Sequence, residues 1–115
     1  MNSEALKDLV LNALDEMKAN DVVVLDVRGA TSVTDYMVIA SGRSDRHVKS
    51  LAGHLVETAK KAGEQPIGVE GERVGDWVLV DLNGVVAHMM MPETRMFYNL
   101  EKLWGHQSDE AVVSE

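Results

Sequence analysis

Trp77-Val78-Leu79-Val80-Asp81-Leu82-Asn83-Gly84-Val85-Val86-Ala87-His88-Met89-Met90 is the stretch on which the architecture turns. Two runs rich in β-branched residues flank Asn83-Gly84. Asn-Gly is the strongest short hairpin signal, because a type I′ turn needs positive φ at both central residues. A two-residue turn there sets Leu82 opposite Val85, Asp81 opposite Val86, Leu79 opposite His88 and Trp77 opposite Met90. Side chains alternate between faces. One face then carries Val78, Val80, Leu82, Val85, Ala87 and Met89, and is wholly apolar. That is a core face. The other carries Trp77, Leu79, Asp81, Val86, His88 and Met90, an aromatic, an acid and a histidine among aliphatics. Such a face is either partly covered by a helix or used for recognition, since Trp, Tyr and Met are enriched in interfaces.

Upstream, Leu6, Leu9, Val10, Ala13, Leu14 and Met17 line one face of a helix running from Glu4 to Ala19. Val22 to Val27 and Tyr36 to Ala40 are short apolar runs that predict buried strands. Ser41-Gly42-Arg43-Ser44 turns into a second helix with Val48, Leu51, Ala52, Leu55, Val56 and Ala59 on its apolar stripe. Ser44 or Ser41 is placed to cap it. Lys60 and Lys61 suit the negative end of its dipole, and Gly63 its C-cap. Pro66 to Glu70 is a short strand candidate, and Glu93 to Trp104 a final helix. Phe97, Leu100, Leu103 and Trp104 are spaced for burial. The order α-β-β-α-β-β-β-α mixes elements without strict alternation. It predicts an α/β (α+β) domain, a mixed five-stranded sheet flanked by helices. Residues 1–105 form that domain and 106–115 an acidic polar tail, read as frayed.

The chain has 115 residues, enough for one core, and no Cys. Disulfides, thiolate zinc sites and Cys nucleophiles are therefore excluded. No apolar run approaches the roughly 20 residues of a membrane span, and Met1-Asn2-Ser3-Glu4 does not begin like a signal peptide. Nineteen acidic against eleven basic residues give a net charge of −8. That opposes binding nucleic acid through phosphate neutralisation and favours a basic partner, although acidity also serves solubility alone.

Catalytic constellations are incomplete. His47 and His54 stand seven apart on one helix, about 10.5 Å along its axis, too far for one metal ion. Asp81 and His88 lie diagonally across the hairpin, with no Ser nucleophile tied to them. A strand, a Ser-Gly turn and a helix suit a nucleotidyltransferase, but Asp81 lacks the second carboxylate one residue away that would hold metal ions. An enzyme reading would have to use Ser41, Ser44 and Asp81 with a divalent ion.

The chain resembles the Iojap family, also called RsfS, the ribosomal silencing factors. The resemblance rests on Thr34-Asp35-Tyr36-Met37-Val38-Ile39-Ala40-Ser41-Gly42, then Ser44-x-Arg46-His47-Val48 and Val69-Glu70-Gly71. It continues through Gly75-Asp76-Trp77-Val78-Leu79-Val80-Asp81-Leu82 and Val85-Val86-x-His88 to Arg95-x-Phe97-Tyr98-x-Leu100-Glu101-x-Leu103-Trp104. It covers roughly Leu6 to Trp104. Asn83-Gly84 and Met89-Met90-Met91 depart mildly from the family's usual residues.

The resemblance implies a nucleotidyltransferase-like fold without the catalytic carboxylates, no cofactor, and no enzymatic activity. It implies a cytoplasmic factor, homodimeric when free, that binds the large ribosomal subunit through ribosomal protein L-fourteen. It implies that the bound factor blocks joining of the small subunit and represses translation when nutrients are scarce. A role in large-subunit assembly is the alternative. An acidic protein is repelled by ribosomal RNA, so its foothold should be a basic ribosomal protein, with little direct nucleic-acid binding and no membrane.

Hairpin geometry and the matched positions together place the partner surface on the mixed hairpin face and the last helix. Trp77 is the expected anchor, Leu82 and Met90 add apolar contact, and Tyr98 supplies area and a hydroxyl. Asp81 and Glu101 are expected to meet Lys or Arg. Tyr98 and Glu101, three apart, are expected to share one helix face, with Phe97, Leu100 and Trp104 on a buried one.

Overall fold

Asn2 starts the first helix, α1 (Ser3–Glu16), by accepting the Ala5 N–H on its side chain at 2.7 Å. The computed structural model describes residues 1–105. The tail of residues 106–115 and the side chain of Trp104 lie outside the described residues. Helix α1 stops short of the expected Ala19, because Lys18 takes φ 59 and the Ala19 N–H turns back to the Leu14 carbonyl at 3.0 Å. Strands β1 (Asn20–Asp26) and β2 (Tyr36–Ser41) follow. They pair antiparallel, with an irregularity between Asn20 and Val23 where Asp21 has φ 49.

Helix α2 (Asp45–Lys61) is capped by Ser44, whose Oγ accepts the His47 N–H at 3.1 Å. Ser41 has another use, described below. At the far end Gly63 takes φ +85. The Gly63 and Glu64 amides then reach the Lys60 and Ala59 carbonyls at 3.0 and 2.8 Å, satisfying carbonyls that the helix leaves unpaired. Strand β3 (Gly68–Glu70) is shorter than the expected run from Pro66.

Strands β4 (Trp77–Asp81) and β5 (Val85–Met90) have the anticipated register: Trp77↔Met90, Leu79↔His88 and Asp81↔Val86. The turn itself differs from type I′. Asn83 has φ 76, but Gly84 does not adopt positive φ. The Gly84 N–H closes onto the Leu82 carbonyl at 3.0 Å, a γ-turn around Asn83. Tertiary contacts hold Gly84 in this conformation and require glycine there. The Gly84 carbonyl accepts the Asp35 and Tyr36 amides at 3.1 and 3.2 Å, and a Cβ on Gly84 would lie 2.6 Å from Ser3 Oγ.

The sheet order is β1-β2-β5-β4-β3, and β2 and β5 run parallel. Helices α1 and α2 cover one face. Val38, Val48, Leu51, Leu55, Val78, Val80 and Met89 meet there with no exposed surface beyond 1%. The second face carries Val23, Leu25, Val27, Met37, Ile39 and Met90, with Trp77 and Leu100 packed against them. Two short helices, α3 (Pro92–Tyr98) and α4 (Leu100–Gly105), stand where one was expected. The break is Asn99, at φ 51 and ψ 56. Asn is the side-chain-bearing residue that tolerates this left-handed conformation best. Among the described residues no helix is long and apolar enough to cross a membrane.

Candidate partner-binding face

Trp77 enters β4 on the second face of the sheet. Its indole N–H donates to His88 Nδ1 at 3.0 Å, with ring centroids 5.9 Å apart. His88 is 5% exposed, and burial pushes its pKa down to about 4. Tyr98 packs on Trp77 with centroids 4.7 Å apart, and Phe97 meets Tyr98 edge-on at 5.0 Å. Tilted and edge-on contacts of this kind favour one ring arrangement over others. Tyr98 still exposes 53% of its surface, Phe97 79% and Met96 80%. Leu103 on α4 is also exposed. Consecutive exposed apolar side chains beside a half-buried tryptophan make a patch of the kind that marks an interaction site.

The same helix buries a charge. Arg95 is the one buried residue of α3. Its guanidinium donates to both carboxylate oxygens of Glu101, at 3.0 and 2.8 Å, and to Ser41 Oγ at 2.8 Å. A cleft of about 300 Å³ opens beside this network, lined in part by Asp21, Arg95, Met96 and Glu101.

The expected contact residues are placed as follows. Trp77 and Tyr98 come together. Leu82 does not join them: it is 4% exposed and sits in the core with the apolar hairpin face, as its own alternation requires. Met90 is fully buried under Trp77 and Leu100, so it supports the face from beneath. Glu101 does not share a helix face with Tyr98, because Asn99 separates their helices and Glu101 turns inward to Arg95. Asp81 is at the other end of β4, about 13 Å of strand from Trp77. Its Oδ1 accepts the Asn83 N–H at 2.9 Å, so it braces the turn. Phe97 and Leu103, expected in the core, are exposed, and Leu100 is half-buried.

Met96 and Phe97 were missed as members of this face, and Arg95 as the buried group behind it. The signal for them was Asn99, seven residues after Pro92 and able to end a helix there.

The residues an enzyme would need have structural partners. Ser41 accepts from Arg95, Ser44 caps α2, and Asp81 holds the turn. Gly42 serves close packing, since a Cβ there would lie 2.8 Å from Val48 Cγ2. His47 Nδ1 accepts the Arg43 N–H at 2.9 Å, and its Nε2 is 2.9 Å from the Met17 carbonyl, which ties α2 to the end of α1. His54 Nε2 lies 2.7 Å from a Glu16 carboxylate oxygen across the same pair of helices. Asp81 and His88 form no pair; His88 faces Trp77 instead. Among the described residues no group of three or more His, Asp or Glu converges to hold a metal ion.

Comparison with known proteins gives the context. The chain is 43% identical over 101 residues to ribosomal silencing factor RsfS of Haemophilus influenzae, covering 88% of this chain and 99% of that one. It is 40% identical over 111 residues to the Mus musculus "mitochondrial assembly of ribosomal large subunit protein 1", covering 94% of this chain and 49% of that one. A crystal structure of a Chromobacterium violaceum protein superposes with a TM-score of 0.90 at 40% identity, over 91% of this chain and 88% of that one. The family model described as "Ribosomal silencing factor during starvation" matches residues 1–115. The chain therefore belongs to the RsfS family of ribosomal silencing factors.

Proposed function

We propose that this protein is a cytoplasmic ribosomal silencing factor that docks on the large ribosomal subunit through ribosomal protein L-fourteen and acts without catalysis. The observation that supports this most is the outward face of α3. Met96 and Phe97 are about four-fifths exposed, and Tyr98 packs at a tilt on Trp77 with ring centroids 4.7 Å apart. Trp77 and Tyr98 are the expected anchors, and Met96 and Phe97 widen the contact. With a net charge of −8, the remaining surface suits a basic ribosomal protein better than RNA phosphates. A bound domain of this size blocks the small subunit sterically, and so represses translation when nutrients are limiting. Occupancy then follows factor concentration over Kd. In the free protein the same apolar face is available to a second copy, which accounts for a homodimer that dissociates before docking.

Light scattering of mixed ribosomal subunits tests this. Adding the protein to large subunits before mixing should lower the amplitude of subunit joining in proportion to the large subunits occupied. Equal amplitudes with and without protein would refute silencing.

The second reading is a large-subunit assembly factor, which the name of the mouse relative favours. It predicts preferential binding to immature over mature large subunits.

A further inference from the structure

Helix α3 is amphipathic in the reverse sense. Its apolar side chains Met96 and Phe97 face solvent, and its buried residue is Arg95. The guanidinium joins three elements: α3, which carries it, α4 through Glu101, and the end of β2 through Ser41. Residues six apart on an unbroken helix are about 9 Å apart along the axis and point about 120° away from each other. Arg95 and Glu101 meet because Asn99 breaks the helix at φ 51 and ψ 56. Asn99 also secures both halves. Its N–H donates to the Arg95 carbonyl at 2.8 Å, and its Oδ1 accepts the Lys102 N–H at 3.3 Å. A cleft of about 300 Å³ opens beside the elbow, lined in part by Arg95, Asn99 and Glu101. Leu100 packs α4 on the sheet, and the two-pronged, charge-assisted hydrogen bonds add a directional constraint on the angle between the helices.

We infer that Arg95 and Glu101 are positioning residues for the partner-binding face. Their pairing across the Asn99 elbow sets α3 so that Tyr98 lies on Trp77 and Phe97 stands outward. This rests on the proposed reading of that face as the ribosome-docking surface. A face held in its bound form loses less freedom on docking, and so binds more tightly. Both Glu101 oxygens are engaged by Arg95, so Glu101 acts on the partner-binding face through the pose of α3.

Two variants separate positioning from folding. Glu101→Gln keeps the side-chain shape and removes its charge. Arg95→Lys keeps the charge and removes the two-pronged donor. For each, nuclear Overhauser contacts between the Trp77 and Tyr98 rings are measured alongside affinity for purified large subunits. Both variants should keep the amide spectrum of the sheet, lose the ring contacts, and bind about tenfold or more weakly. Retained ring contacts in the folded variants overturn the inference. Lost ring contacts with undiminished affinity overturn it too, since the pose of α3 would then not matter. If the unmodified protein itself fails to bind large subunits, the docking reading fails, and the ring contacts alone decide whether Arg95 and Glu101 set the pose. Should one variant fail to fold, the other carries the test.

Discussion

Trp77 and His88, diagonal neighbours on the β4–β5 hairpin, are joined by a hydrogen bond of 3.0 Å in which the indole N–H donates and Nδ1 accepts. Nδ1 must therefore be unprotonated, and the imidazole neutral. Burial of His88 favours the same form and lowers its pKa to about 4. In the unfolded chain His88 titrates near its ordinary 6.5. As pH falls below about 6.5, the unfolded state takes up this proton while the native state resists it until about pH 4, so stability declines across that window. Between pH 7 and pH 5 the loss from this residue is about 2 kcal/mol. Denaturant unfolding of the native protein and of His88→Gln checks it. The variant should lose about that much less over the same interval. Equal losses would show that His88 is not held neutral.

Truncating the aromatic pair should weaken partner binding. Tyr98→Ala removes a half-exposed ring and should leave folding intact while costing about 2 kcal/mol of binding, roughly thirtyfold in Kd. Trp77→Ala removes more, because its indole also covers Met90 and holds His88. Some of its effect will therefore appear as lost stability. Calorimetric titration into purified large subunits, read beside thermal melts, separates the two.

Leu82→Ala should behave in the opposite way. Leu82 is 4% exposed in the main core, so its truncation should cost about 2–4 kcal/mol of folding stability. At temperatures where the variant stays folded, its affinity for large subunits should match the unmodified protein. A variant with full stability and weakened binding would return Leu82 to the surface.

Gly71 controls the approach of β4 to this face. It has φ +88, and a Cβ there would lie 2.1 Å from the Trp77 carbonyl oxygen. Gly71→Ala must therefore strain the backbone and shift the start of β4, at a cost of about 2 kcal/mol or more. Melting temperature and Trp77 ring contacts should change together. An unchanged melt would show that this turn has room to relax.

The hairpin was legible residue by residue. Asn83-Gly84 marks the turn, and strict alternation assigns Val78 and Val80 to the core and Trp77 and His88 to the other side. Helix α2 was equally plain, because Ser44 and Gly63 act locally at its ends. The last helix was not. A count of apolar spacing treats Phe97 as core, since hydropathy has no sign for a helix that turns its apolar side to solvent. What inverts α3 is a tertiary interaction, Arg95 reaching Ser41 across 54 residues of chain and Glu101 across the Asn99 elbow. Trp77 and Tyr98 could be singled out one by one as interface-type residues. Their contact depends on that elbow, and so does the turning of Glu101 towards Arg95. Leu82 shows the opposite case: alternation assigns it to the core, the matched positions suggest a contact residue, and the structure agrees with the alternation.

The central claim, that the Trp77–Tyr98 face docks on the large ribosomal subunit and keeps the small one away, is tested most directly by sedimentation. Purified protein and its Tyr98→Ala variant are run through density gradients with separated subunits and with both together. The unmodified protein should travel with the large subunit alone and reduce the fraction of joined ribosomes, and Tyr98→Ala should do neither at the same concentration. Protein that stays at the top of the gradient at micromolar concentration, or a Tyr98→Ala variant that co-sediments as well as the unmodified protein, would contradict the account.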